Sequence, residues 1–189
     1  MKRGGRRRRR EGDAGRGTAG LRIRRARREE AVLLARLIRR AFATSARRMG
    51  MTRRTWPGHA AWTPAARVRT LMDEGFRYWI LEEGGEARGC VAGAWRPEKS
   101  TVHVRHLAVL PRWRGRGFGQ RLMARVVADA RRRGAPRVTL GIAATDRGLR
   151  RWYERLGFAV SETRAWKGMP VRVAFLTMEL AGQDKKRRR

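Results

Sequence analysis

A chain of 189 residues suits one domain with a proper core, and its formal net charge of +32, from 48 basic and 16 acidic residues, bears on solubility and partners rather than on fold. No run of 18 uncharged apolar residues exists, so no membrane span is expected, and the basic start lacks the apolar stretch of a signal peptide. The one cysteine, Cys90, excludes an internal disulfide framework and reads as a small core hydrophobe within Cys90-Val91-Ala92; together these features suggest a soluble cytoplasmic protein.

Residues 1–20 are mostly Gly and Arg with almost nothing to bury, which predicts a disordered basic arm, and a short basic tail at 183–189 reads likewise. A genome biased toward Arg codons produces such composition without selection for a partner. Non-specific contact with RNA or DNA through the arms is expected on physical grounds either way. Between the arms, 21–182 reads as one domain. Leu21-Arg22-Ile23 alternates as a short strand. Ala31, Leu34, Ala35, Ile38 and Phe42 recur at helical spacing, predicting an amphipathic helix from about Arg28 to Phe42. The stretch 43–63 reads as irregular, with Gly50, Pro57 and Gly58. A second helix is predicted with Thr63 as its cap and Pro64 at its first position, ending near Met72 before Gly75. Strands follow at Phe76 to Glu82, Arg88 to Trp95 and Thr101 to Val109, the first two joined by a turn at Glu83-Gly84-Gly85.

Next comes the segment that carries chemistry. Arg114-Gly115-Arg116-Gly117-Phe118-Gly119 lies between the strand ending at Val109 and a helix-like run from Gln120 to Arg133. Glycine lets the backbone come close to a ligand, and the first free amides of a helix carry partial positive charge, so this junction is suited to phosphate. The dinucleotide fingerprint fails here, because Gly115-x-Gly117 is followed by Gln120 where glycine is needed, and the region around Val138 offers no carboxylate. A nucleotide P-loop fails too, because no Gly-Lys-Ser/Thr follows. The helix presents Leu122, Met123, Val126, Val127 and Ala130 on one face and stops at Gly134 and Pro136. Val138 to Ile142 is a short strand. Asp146 caps a helix bearing Leu149, Trp152, Tyr153 and Leu156, and Gly157 ends it. Two strands close the chain, near Phe158 to Thr163 and Val171 to Leu180. The order is β-α-α-β-β-β-α-β-α-β-β.

Leu107-Ala108-Val109-x-Pro111 with the glycine turn, followed at the right interval by Trp152-Tyr153-Glu154-Arg155-Leu156-Gly157-Phe158, resembles the two signature segments of GNAT-type N-acetyltransferases. Together they cover about a quarter of the chain, and the rest matches in element order. The resemblance implies an α/β (α+β) fold in a single domain, with a mixed, twisted sheet of about seven strands and helices on both faces. It implies acetyl-CoA as co-substrate and direct transfer of acetyl to a primary amine of a small molecule or a protein. Backbone groups along Leu107, Ala108 and Val109 would pair with the pantetheine arm. Amides from Gly115 to Gly119, Phe118 included, would hold the pyrophosphate, with Arg114 and Arg116 adding charge. Where the family often has Asn this chain has Asp146, which still caps a helix but brings charge nearer a phosphorylated cofactor.

The resemblance also makes Tyr153 the general acid for the departing thiolate. His103 ranks first as the base for the incoming amine, followed by Glu82, Glu83 and His106. Strand alternation places His103 and His106 on opposite faces, which would prevent them from acting as a pair. Arg53, Arg54, Trp56, His59 and Trp62 fall in the segment that often lines the acceptor pocket of the family. A strongly basic body disfavours a polyamine acceptor. No Cys/His cluster has metal spacing, so no metal is expected. Dimers are common in the family, which allows a homodimer. The competing reading is a nucleic-acid- or ribosome-associated binding protein on the same scaffold, with catalysis secondary or lost.

Overall fold

Seven strands form one sheet in the order β1-β2-β3-β4-β5-β7-β6. In the computed structural model, which describes residues 20–165 and 170–180, these are β1 (Arg22–Arg25), β2 (Arg77–Glu83), β3 (Glu86–Arg96), β4 (Thr101–Val109), β5 (Arg137–Ala143), β6 (Ala159–Arg164) and β7 (Val173–Glu179). The helices are α1 (Ala31–Arg48), α2 (Ala65–Asp73), α3 (Phe118–Arg132) and α4 (Arg147–Arg155). The element order is the one the periodicity predicts, and the sheet is mixed: β4 and β5 run parallel while every other neighbouring pair is antiparallel. Apart from Gly20, the basic arm and tail lie outside the described residues. No helix among the described residues is long and apolar enough to cross a membrane.

Each face of the sheet has its own core, because alternate side chains of a strand point opposite ways. On one face α3 seats Leu122, Met123 and Val126 against Trp79, Leu81 and Val91 of β2 and β3, joined by Tyr153 of α4. On the other, α1 and α2 seat Leu34, Ile38, Val68 and Leu71 against Tyr78, Ile80 and Ala92. Full burial of a residue such as Leu122 contributes roughly 1.5–3 kcal/mol. Cys90 is fully buried, and burial pushes its thiol up to about 12, so it behaves as a hydrophobe.

Two local readings are corrected. The first helix opens as a 3-10 turn at Arg28–Glu30, and α1 then runs six residues beyond Phe42, to Arg48. The hydroxyls of Thr44 and Ser45 donate to the Ala41 and Phe42 carbonyls at 3.0 and 2.8 Å, so residues that favour turns are accommodated within the helix. The second correction concerns α2. Its cap is Pro64, extended at φ −80° and ψ 161°, not Thr63. Arg39 Nη1 donates to the Thr63 carbonyl at 3.0 Å, which anchors the entry to α1.

The feature that shapes the site is an irregularity in β4. Cys90 pairs with Ala108 and Ala92 with Arg105, so Val91 alone stands opposite both His106 and Leu107. This is a β-bulge, and His106 carries it at φ +54°, a left-handed conformation unusual for a residue with a Cβ. Close backbone approach accompanies it: a Cβ on Gly89 of β3 would lie 2.7 Å from the Ala108 carbonyl oxygen.

Candidate active site

β4 and β5 pair only at Val102↔Val138 and His103↔Thr139. Beyond those residues the two strands part, and a cavity of about 640 Å³ opens in the gap. One wall is β4 from His103 to Leu107, and the facing wall is β5 from Leu140 to Ala143. Phe42 and Ser45 of α1 and Met49, which caps its C-terminus, face into the cavity, as do Trp56 and His59 of the following loop. Asp146, Leu149 and Tyr153 complete it from the α4 side. Parallel strands that separate expose backbone amides and carbonyls at their inner edges. An extended ligand can satisfy these as an added strand would.

The bulge corrects the strand-alternation reading. His103 meets Phe76 edge-on at 6.4 Å between ring centroids, and His106 lies 6.0 Å from Tyr78. Phe76 and Tyr78 both belong to the core on the α1/α2 face. The extra residue in β4 therefore puts His103 and His106 on the same face, both lining the cavity, where alternation separates them. It also turns Leu107, which unbroken alternation would put on the His103 face, into packing against the α3 core.

His103 Nδ1 lies 3.3 Å from Thr139 Oγ1, and His106 Nδ1 lies 2.8 Å from the Tyr78 hydroxyl. Burial, aided by nearby arginines that include Arg105, lowers both imidazoles to about 4, so both are neutral at physiological pH. His59 is also buried in the cavity lining. Its Nδ1 accepts from the Ala61 amide at 3.2 Å, and burial lowers its pKa as well. The rings of Phe42 and Trp56 lie 6.0 and 5.1 Å from it. Trp62 is held outside the lining, its Nε1 donating to the Trp56 carbonyl at 3.1 Å. Neither Arg53 nor Arg54 lines the cavity.

A pH dependence of stability follows. In the unfolded chain a histidine protonates near 6.5, whereas folded His103 and His106 resist protonation down to about 4. The unfolded state therefore binds more protons between those values. The histidine contribution to stability is expected to be level above pH 6.5 and to fall as pH drops through that window, at up to about 1.4 kcal/mol per pH unit for each histidine; below it Glu30, held down to about 2 by Arg24, continues the decline. Melting temperature against pH checks this, and His103→Gln should flatten part of the slope.

Tyr153 is buried in the cavity wall, edge-on to Trp152 at 4.8 Å and to Phe158 at 5.5 Å. Burial raises its pKa, so the phenol keeps its proton across the physiological range. Asp146 caps α4, its Oδ1 accepting from the Leu149 amide at 3.1 Å, and its other oxygen takes an ion pair from Arg48 at the end of α1. Glu82 pairs with Arg24 at 2.8 Å, and Glu83 lies 3.9 Å from Arg116. Neither glutamate lines the cavity, which leaves Asp146 as its one carboxylate among the described residues.

The glycine turn sits past the C-terminal end of β4, outside that lining. Gly115 and Gly117 adopt φ +79° and +76°, and Gly117 is the N-cap of α3. The first helical bond runs from the Arg121 amide to the Gly117 carbonyl at 3.0 Å, so the amides of Phe118, Gly119 and Gln120 have no partner within the helix. The Phe118 side chain is buried and stacks on Trp113, while Gly119 lies against Trp152. The arginines of the turn are engaged with the protein. Arg114 donates to the Val109 carbonyl at 3.2 Å, to Thr44 Oγ1 at 2.9 Å and to the Ala41 carbonyl at 2.7 Å, which ties the turn to α1. The Arg116 guanidinium carbon lies 4.5 Å from the Trp113 ring centroid.

The structure thus gathers His103, Leu107, Asp146 and Tyr153 around one cavity and sets Ala108, Val109 and 114–119 at its β4 end. Lining groups that sequence reasoning missed include Phe42, Ser45 and Met49 near the end of α1, Arg105 of β4, and Val173 and Phe175 of β7. The apolar spacing of α1 ran out at Phe42, although Ser45 and Met49 lie three and seven residues further along the same helical face.

Residues 43–158 match the sequence model of the Acetyltransferase (GNAT) family. The chain is 33% identical over 94 residues to N-acetylaspartate synthetase of Danio rerio, a match covering 49% of this chain and 33% of that protein. It is 30% identical over 102 residues to an uncharacterized N-acetyltransferase of Methanocaldococcus jannaschii, covering 51% and 45%. The matched part therefore spans less than half the length of either relative. Among solved structures, yncA from Salmonella typhimurium with its cofactor acetyl-CoA superimposes with a TM-score of 0.64 at 21% identity, over 86% of this chain and 95% of that one. The PaiA N-acetyltransferase of Thermoplasma acidophilum in complex with coenzyme A gives 0.65 at 12% identity, over 85% and 99%. At such identities the likeness is one of fold.

Proposed function

Because the chain belongs to the GNAT acetyltransferase family, on the match over residues 43–158, we propose that it transfers acetyl from acetyl-CoA directly to a primary amine. The observation that carries this reading is the parting of β4 from β5 beyond His103, with Tyr153 in the wall of the resulting cavity. The residues present fit such a co-substrate. The parted strand edges suit an extended amide-bearing arm. The free amides at the start of α3, on a turn whose glycines leave the backbone uncovered, suit a diphosphate.

Acetyl-CoA supplies an activated acyl group, whose C–S bond breaks as the C–N bond to the amine forms. Tyr153, protonated throughout the working range, gives its proton to the departing sulfur. His103, neutral and on the cavity wall, accepts the proton that the amine must lose. A histidine with so low a pKa is a weak base. The same desolvation and nearby arginines that lower it also disfavour an ammonium ion in the cavity, so a weak base suffices. The amides of Phe118, Gly119 and Gln120 bind the pyrophosphate, and Arg114 holds the turn in place against α1.

Acetyl-CoA should raise the melting temperature of the purified protein, by an amount equivalent to about 2.7 kcal/mol at one hundred times its Kd. Amine acceptors should then release free CoA thiol, measurable with a thiol reagent. Absence of any stabilisation at millimolar acetyl-CoA overturns the reading.

A further inference from the structure

Arg105 stands on the cavity wall between His103 and His106, accessible to solvent. Among the described residues no carboxylate lies within ion-pair distance of it, whereas Arg24, Arg48 and Arg67 each hold one. Its guanidinium carbon lies 5.9 Å from the Phe76 ring centroid. Two further arginines stand near enough for their charge to act on it. Arg67 of α2 is committed to Glu74 at 2.8 Å. Arg96 at the end of β3 donates to the Glu74 carbonyl at 3.2 Å and lies 4.9 Å over Phe76. Glu74, whose charge also reaches Arg105 and favours its charged form, is thus already engaged by Arg67, and among the described residues Arg105 keeps no carboxylate of its own within ion-pair distance. Partial desolvation and the nearby arginines lower the pKa of the guanidinium, and a bound anion would offset both. The charge is therefore suited to binding rather than to holding the fold together.

We propose that Arg105 grips a carboxylate of the acceptor, so that the substrate is a primary amine carrying an acidic group. The assignment rests on the acetyl-transfer reading above and names the acceptor class for that same site. A guanidinium takes a carboxylate through two parallel N–H···O bonds, which fixes the orientation of the molecule as well as its charge. The carboxylate sits at the Arg105 end. The amine is directed along the cavity toward the strand gap, between the histidines of β4 and Tyr153 of α4. His103 and His106, neutral and flanking Arg105, do not compete with it for the anion.

Matched acceptor pairs test this. Free aspartate is compared with asparagine, glutamate with glutamine, and a peptide with N-terminal aspartate with its asparagine counterpart. The peptide pair separates a free amino acid from a polypeptide as the source of the carboxylate. Acid members of at least one pair should exceed the amides by about tenfold or more in kcat/KM. Arg105→Gln should bring the ratio close to one, chiefly by raising KM for the acid, and Arg105→Lys should restore part of it. Acetyl-CoA should stabilise Arg105→Gln as it does the unaltered protein, which shows that the fold and the co-substrate site survive. The assignment is overturned if acetyl-CoA binds but amides are used as well as acids, if no acid is turned over, or if Arg105→Gln leaves the ratio unchanged. Failure of acetyl-CoA to stabilise the unaltered protein overturns the acetyl-transfer reading, and this assignment with it.

Discussion

Replacing Tyr153 by Phe is expected to lower kcat by about 10²- to 10⁴-fold while leaving acetyl-CoA binding intact, the range typical for loss of a positioned general acid. The ring supports the core: it meets Trp152 and Phe158 edge-on, and the side chain is 5% exposed. Phenylalanine keeps those contacts and removes one oxygen, so fold and acetyl-CoA stabilisation should persist. The loss should therefore fall on kcat rather than KM, as for an interaction made only in the transition state. An acyl donor whose thiol is far more acidic than that of CoA needs no proton on departure, and it should recover much of the lost rate in Tyr153→Phe. Because burial raises the phenol pKa, the acetyl transfer proposed for the unaltered protein should show no decline near pH 10 from loss of the Tyr153 proton. Equal kcat for the two proteins would remove Tyr153 from the chemistry.

The second large effect is expected at Gly117. Its φ of +76° at the cap of α3 is a conformation that side chains rarely adopt, yet a Cβ there would meet nothing within 4 Å. Substitution should thus cost about 1–2 kcal/mol of backbone strain without a clash. Gly117→Glu adds a carboxylate beside the amides proposed to hold a diphosphate. It should abolish acetyl-CoA stabilisation, a weakening of at least about a hundredfold, equivalent to about 2.7 kcal/mol. Gly117→Asn serves as the control, since asparagine tolerates the left-handed region and carries no charge. It should fold and retain most of the stabilisation. If Gly117→Glu folds and acetyl-CoA still stabilises it, the diphosphate is held elsewhere.

Arg114 and Arg116 illustrate how a motif can be read correctly for its position and incompletely for its contacts. The spacing Arg-x-x-Gly-x-Gly locates a turn between strand and helix, and the turn is there. That Arg114 would direct its nitrogens to Val109, Thr44 and Ala41 depends on α1 lying alongside, seventy residues earlier in the chain. The arginine thereby gains a positioning role, since it fixes the turn relative to the helix that covers the cavity. Asp146 is a parallel case. Its capping of α4 is local and legible, whereas its ion pair with Arg48 joins elements ninety-eight residues apart.

Element order and the turn at 114–119 were legible in the amino-acid order alone, whereas Tyr153 was singled out by its place in the family-like segment. Element order and turn rest on interactions between near neighbours: the periods of strand and helix, the φ freedom of glycine, and the capping of a helix by Asp146. The bulge at His106 was not legible, because a histidine at φ +54° is held there by the strands around it and leaves no mark in composition. That single inserted residue placed both histidines on one face, with Arg105 between them and no carboxylate within ion-pair distance of it among the described residues. Charges find or lack partners only after distant segments pack, and for that reason the folded chain alone reveals what the cavity has left to bind.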